Sequence, residues 1–389
     1  MSDTEIPLSS PYIDDEDRRV VNEVMQGRTL SIGPWVERFE ALLSQTSGRA
    51  HAVAVSSGTS ALHLIVRALG WGPGDEVITT PFSFVASANC FLYENVRPVF
   101  VDIDPITRCI DPAAIARAVT DRTVGILSVD VFGYPADWSA LEDTAKRHSL
   151  TLVSDSCESL GTVRTDDGRR TPAGKSGIAG AFAFYPNKQI TTGEGGAVVT
   201  DDEHIARLCR SMRNQGRDEG AGWLQHARLG FNYRLSEINS ALGHTQLSKL
   251  EEIKQRRNAV AARYIQLLEP LCDWVDPPPT DPAVDLSWFV FVVSLRDQFS
   301  AQDRNDILDG LRARGIGCSN YFSPIHLQPY IQERLGTARG DFPVTERVAD
   351  RTIALPFYTS LAAADQEIVI RELAVQLQRS APAAGHGAR

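Results

Sequence analysis

The stretch 181–200, AFAFYPNKQITTGEGGAVVT, decides how this chain is read. A single lysine, Lys188, stands between two textures. Before it runs an apolar, aromatic segment, Ala181-Phe182-Ala183-Phe184-Tyr185, with the pattern of a buried strand. After it come Gly193-Glu194-Gly195-Gly196 and then Ala197-Val198-Val199, a second strand entered through a glycine-rich turn. A lysine lodged between buried strands loses part of its water shell, and a neutral amine is what a Schiff base with an aldehyde requires. Taken alone, Lys188 reads as an exposed loop lysine. Its company elsewhere in the chain gives it weight.

Outward from that stretch the order is regular. Short buried strands are expected at 52–55, 76–81, 98–102, 124–129 and 150–155, the first four each followed by a helical period, at 61–69, 82–93, 111–119 and 138–148. Such alternation predicts an α/β fold with a mainly parallel central sheet and helices on both faces, whose ligands collect at the carboxyl ends of the strands. Ser57, Asp155 and several glycines fall at those ends. Helices are further expected at 202–212 and, as one long element, at 235–257. The proline run Asp276-Pro277-Pro278-Pro279 marks a change to a smaller C-terminal α+β domain, with a strand at 288–295 and a helix at 304–314. The domain reading is a lead-in at 1–30 packing on the small domain, a large domain at 31–250, the small domain at 251–380 and a disordered tail at 381–389.

Composition removes several function classes. The 389 residues carry a net charge of −10 with no basic block, which argues against nucleic acid or an anionic membrane as partner. The acidic, polar start MSDTEIPLSS is unlike a signal peptide, and the longest apolar run, 288–293, is far too short to span a bilayer. Six scattered cysteines form no CxxC pair and fit free thiols in a reducing cytoplasm. No HExxH and no compact Cys/His cluster occurs, so no metal is expected.

Four features converge if the sheet is parallel. Lys188 can hold an aldehyde, and Asp155, at a strand end, can pair with a protonated ring nitrogen. The turn Gly58-Thr59-Ser60, where a strand meets a helix N-terminus, offers free N–H groups to a phosphate. Phe84 can stack on a flat ring. Lysine, ring-nitrogen carboxylate and phosphate cradle are together the requirements of pyridoxal phosphate (PLP). Each residue has a plainer reading by itself: core aromatic, strand-end cap, helix cap. Their joint occurrence decides between the two.

The chain resembles the DegT/StrS sugar aminotransferases of the fold-type I aspartate aminotransferase superfamily. The matching stretches are SSGTSALHL (56–64), GDEVITTPFSFVASAN (74–89), PVFVDID (98–104), DSCESLG (155–161), FYPNKQITTGEGGAVVT (184–200), LGFNYRLSEINSALG (229–243) and SPIHLQPY (323–330), in family order along nearly the whole chain. FYPNKQITTGEGG resembles the perosamine synthase branch, which aminates C4 of a nucleotide-linked 4-keto-6-deoxy-hexose. The resemblance implies that Lys188 carries the coenzyme and acts as general base, that Asp155 partners the pyridine nitrogen, and that Phe84 stacks on the ring. It implies phosphate contacts from Gly58, Thr59 and Ser60, and a loop bearing Asn232 and Arg234 that reaches the neighbouring subunit's site in a homodimer. Tyr321 and His326 match a sugar-side segment. Glu158 stands where the family usually has Gln touching the ring hydroxyl, and Ala183 where many members have a phosphate-binding serine. The implied activity is amino transfer from L-glutamate to a nucleotide-linked keto sugar in the cytoplasm. Amination of a 3-keto sugar or keto-cyclitol uses the same cofactor set. A sugar 3-dehydratase of this fold carries histidine at the lysine's place, and a non-catalytic regulatory module would have no need of Lys188 and Asp155.

Overall fold

The computed structural model describes residues 5–381 apart from 167, 221 and 223, so all but the first residue of the tail expected at 381–389 lies outside the described residues. In chain order, α1 (Asp15–Gln26) and α2 (Pro34–Ser47) precede β1 (His51–Val55) and α3 (Gly58–Ala68). Then come β2 (Glu76–Thr79), α4 (Ala86–Leu92), β3 (Arg97–Phe100), α5 (Pro112–Ile115), β4 (Thr123–Val129), α6 (Trp138–Arg147) and β5 (Thr151–Asp155). A hairpin, β6 (Val163–Asp166) and β7 (Arg169–Pro172), leads to β8 (Ala179–Ala183) and β9 (Gly196–Thr200). Helices α7 (Glu203–Arg213), α8 (Glu237–Ser248) and α9 (Leu250–Leu268) follow.

The central sheet has seven strands in the order β1-β9-β8-β5-β4-β2-β3. The run from β8 to β3 is parallel, and β9 is antiparallel to both its neighbours. The mainly parallel α/β sheet expected from the strand–helix alternation is therefore present. Strands β2, β5 and β8 are almost wholly buried, as a sheet covered on both faces demands. One face packs on α3 through residues such as Leu62 and Ile65, and the other on Phe39 and Leu43 of α2 and Ile253 of α9. The register sets Val129 of β4 beside Asp155 of β5, and Asp155 beside Ala181 of β8. The carboxyl ends of β4, β5 and β8 thus form one ledge.

The C-terminal part builds an antiparallel sheet from β10 (Val275–Asp276), β12 (Phe291–Leu295) and β13 (Thr352–Leu355), while β11 (Val284–Asp285) pairs with β6 of the hairpin. Helices α10 (Ala301–Arg312), α11 (Pro329–Leu335), α12 (Pro343–Ala349) and α13 (Ala363–Ser380) complete it. Its core gathers Tyr264 of α9, Phe291, Leu311 and Leu373.

Several boundaries differ from the sequence expectation. The helix expected at 82–93 begins only at Ala86, because Thr80 Oγ1 accepts the Phe82 N–H and Ile325 N–H caps the Pro81 carbonyl, holding 81–84 as a loop. The helix at 111–119 shrinks to the four residues of α5. The long element at 235–257 is two helices that break at Lys249, whose Nζ lies 2.7 Å from Asp14 and 2.8 Å from Asp17. The lead-in divides: Ile6 pairs with Ile316 in the small sheet's surroundings, whereas α1 packs on α8 through Val20, Val24 and Ala241. Among the described residues no helix is long and apolar enough to cross a membrane.

Candidate active site

Strand β8 ends at Ala183 and the chain turns back into β9 through 184–195, a loop closed by Phe184 N–H to Gly195 O at 2.9 Å and Thr192 N–H to Phe184 O at 3.0 Å. Lys188 sits on this loop, its own N–H donating to Tyr185 O at 2.9 Å. Gly196 permits the close approach that follows: a Cβ there would stand 2.4 Å from the backbone of Ser57. The lysine loop is thereby pressed against the turn that opens α3.

That turn is capped by Ser57, whose Oγ accepts the Ser60 N–H at 3.0 Å. Helix geometry leaves the N–H groups of Gly58 and Thr59 outside the intrahelical ladder, with the dipole's positive end behind them. A Cβ on Gly58 would meet Ala183 Cβ at 2.7 Å and Cys157 Sγ at 3.0 Å, so the cradle admits only glycine without displacement.

Asp155 closes β5 and is 4% exposed. Its Oδ2 accepts from Ser87 Oγ at 2.7 Å and its Oδ1 from Cys157 N–H at 3.2 Å, so its orientation is fixed from two sides. Glu158, one turn further, is also buried: Oε2 accepts the Phe132 N–H at 2.7 Å and Oε1 stands 3.7 Å from Lys188 Nζ. Burial pushes the Glu158 carboxyl above its ordinary range, and the nearby ammonium pulls the other way. The 156–159 turn is anchored from below by Asp130, which accepts from Ser156 and Ser159 Oγ, both at 2.8 Å, and from Trp138 Nε1 at 3.0 Å.

These groups surround a cavity of about 620 Å³ lined by Ser57, Gly58, Thr59, Phe84, Asp155, Glu158, Lys188 and Tyr321 among others. Phe84 and Tyr185 are 61% and 53% exposed at its rim. Tyr321 lies on the small-domain wall, where burial raises its phenol. Four expected site residues are elsewhere. Ser60 turns its hydroxyl into the cap with Ser57 and Ser56. Asn232 and Arg234 lie outside the cavity, with Arg234 Nη1 donating to Asn214 Oδ1 at 3.0 Å. His326, expected on the sugar side, is fully buried; its Nε2 is 3.0 Å from Glu346 and its ring packs edge-on against Phe342. Burial outweighs Glu346 and lowers the His326 pKa. The short turn Ile325–Leu327 aims the imidazole into the protein, a direction that sequence does not show.

Sequence reasoning missed Ser87, Asn187, Phe289 and Asn320, and set Ser57 at a strand end without giving it a role. Ser57 and Asn187 adjoin named motif residues and were within reach; Phe289 lies 101 positions from Lys188 and carries no local signal.

An α/β sheet with an amine, a doubly anchored carboxylate and an open helix N-terminus converging on one cavity defines a fold-type I aminotransferase site. The model of the DegT/DnrJ/EryC1/StrS aminotransferase family matches residues 11–374, and the chain belongs to that family. It is 33% identical to the spore coat polysaccharide biosynthesis protein SpsC of Bacillus subtilis over 94% of this chain and 95% of that protein. Helicobacter pylori PseC, an aminotransferase involved in the biosynthesis of pseudoaminic acid, superposes with a TM-score of 0.90 at 30% identity, covering 97% of this chain and 100% of that one. DesV of S. venezuelae, solved in complex with a ketimine intermediate, gives 0.86 at 32% identity over 96% and 99%. The chain is thus a PLP-dependent sugar aminotransferase.

The residues present fit the coenzyme. The glycine-only cradle at Gly58 and the open N–H groups of α3 suit its phosphate, Asp155 its ring nitrogen, and Lys188 its aldehyde. Ala183 lines the same cavity and brings no hydroxyl to it.

Proposed function

We propose that this enzyme transfers the amino group of L-glutamate to the C4 ketone of a nucleotide-linked 4-keto-6-deoxy-hexose, in the cytoplasm, as a homodimer with shared sites. The observation that carries the reading is the lysine itself: Lys188 Nζ sits inside a cavity large enough for coenzyme and sugar, with Glu158 at 3.7 Å and Asp155 in the same wall. When bound, PLP supplies an aldehyde for the donor's nitrogen and a cationic ring that draws electrons from the breaking Cα–H bond. Asp155 holds the positive ring charge, its two oxygens fixed by Ser87 and the Cys157 amide. Lys188 Nζ would move the proton from the donor's Cα to the coenzyme's C4′, and in the second half-reaction from C4′ to the sugar carbon. Phe84 and Tyr185 cover the rim, and Asn187, Asn320 and Tyr321 present polar groups to the sugar. No arginine is among the cavity's described lining residues, so the donor's carboxylates need a cation from outside it. Arg234 of a second copy fills that need.

A sugar of this kind is also consistent with the biosynthetic roles named for SpsC and PseC. The test is incubation with PLP, glutamate and a panel of nucleotide-linked 4-keto and 3-keto sugars, with the product identified by NMR. The expected product bears nitrogen at C4 and appears with equimolar 2-oxoglutarate. Amination at C3, or of a keto-cyclitol alone, would contradict the assignment. Lys188→Ala should retain PLP without a covalent link and lose turnover by at least about 10³-fold.

A further inference from the structure

Arg257 of α9 is 2% exposed, and no carboxylate is among its described hydrogen-bond partners. Its Nε donates to Trp288 O at 2.8 Å, its Nη2 to Phe289 O at 2.7 Å, and its guanidinium lies 4.8 Å from the Phe357 ring. Burial pushes this guanidinium down to about 9. A buried cation with no anion beside it is costly, and here it is used on two successive carbonyls. On the other side of the same segment, Gln189 Nε2 donates to Ser287 O at 2.9 Å and to Glu158 O at 2.6 Å, and Ser287 N–H donates to Thr162 Oγ1 at 2.9 Å. Residues 287–289 are therefore clamped between α9 and the lysine loop. The clamp ends on Phe289, a 2% exposed ring whose centroid lies 3.8 Å from Lys188 Nζ.

We propose that Phe289 is the cation–π seat of the Lys188 ammonium and that Arg257 is the residue that positions this seat. The proposal rests on the reading of Lys188 as the coenzyme-carrying residue. Whenever Lys188 is released and protonated, the ring's negative face and the Glu158 carboxyl hold its Nζ in the cavity wall, ready to return. The remaining polar and titratable groups that face it, Asp155, Cys157, Tyr185, Glu194 and Tyr321, are unchanged by substitution at 289 and cancel in a comparison of variants.

The experiment uses full-length apoenzyme and follows, by visible absorbance, the rate at which added pyridoxal phosphate condenses with Lys188 as a function of pH. Loss of the ring disfavours the ammonium, so free amine persists at lower pH. Phe289→Leu should move the pH of half-maximal rate down by about one unit, and Phe289→Trp should restore it. Arg257→Met, or the milder Arg257→Lys if the first does not fold, should move it in the same direction, with no further shift when combined with Phe289→Leu. A Phe289→Leu profile that coincides with wild type overturns the seat, and full additivity with the Arg257 variant overturns the positioning role. Failure of the wild-type apoenzyme to condense at Lys188 would instead remove the reading beneath both.

Discussion

Glu158 is the residue at which this chain departs most from its resemblance. A neutral amide was the usual expectation there, and the side chain is instead an acid buried beside the lysine, with one oxygen held by the Phe132 N–H. Because burial raises its carboxyl, the ion pair with Lys188 forms only above a pH higher than the ordinary carboxylate range. Protonation of Glu158 as the pH falls removes the pair. The acid limb of the kcat profile should therefore move to lower pH in Glu158→Gln, which keeps an acceptor for Phe132 but has no proton to gain; an unmoved limb would show that Glu158 does not set it. At this scale Lys188, Asp155, Gly58 and Thr59 were legible because each sits at a strand end or on the loop beside it, which the strand–helix alternation predicts, whereas Glu158 was legible only through the family resemblance. His326 and Ser60 were not placed correctly in the cavity, since motif position says nothing of which way a side chain turns. Phe289 was invisible, because only the packing of α9 on the 287–289 segment brings it under Lys188.

The elements that make the site are β8, its loop into β9, and α3. Their fit depends on one glycine more than on any long side chain: a Cβ on Gly58 would stand 2.7 Å from Ala183 Cβ and 3.0 Å from Cys157 Sγ. Gly58→Ala should force the turn away from β8, reduce coenzyme affinity by about 10- to 100-fold and cost about 1–3 kcal/mol of stability. Titration of apoenzyme with PLP and thermal melts check both, and unchanged affinity would place the phosphate elsewhere. Element order and the parallel sense of the sheet followed from the alternation of buried strands and helical periods. Helix ends were less legible, because they are set by tertiary bonds such as Lys249 to Asp14 and Asp17, which split the long helix at a point its apolar period does not mark.

At the scale of the whole molecule, the cavity of one chain has no arginine among its described lining residues. Arg234 and Asn232 lie outside the cavity of their own chain, which the exposed rings of Phe84 and Tyr185 help to line. A homodimer should therefore run at twice the 42.6 kDa of the chain in light scattering. Co-expressing Lys188→Ala with Arg234→Ala should restore activity to about a quarter of wild type, since half the dimers then hold one intact site of two; a mixture no more active than its better parent would show that the sites are not shared. The proposed activity of the whole molecule depends on one amine, Lys188, at the carboxyl end of a mainly parallel sheet, as carrier of the coenzyme. Borohydride reduction of the PLP-loaded enzyme, followed by peptide mass mapping, tests it directly. A pyridoxyl label on Lys188 alone is expected; a label on any other lysine, or none, would show that the coenzyme is carried elsewhere.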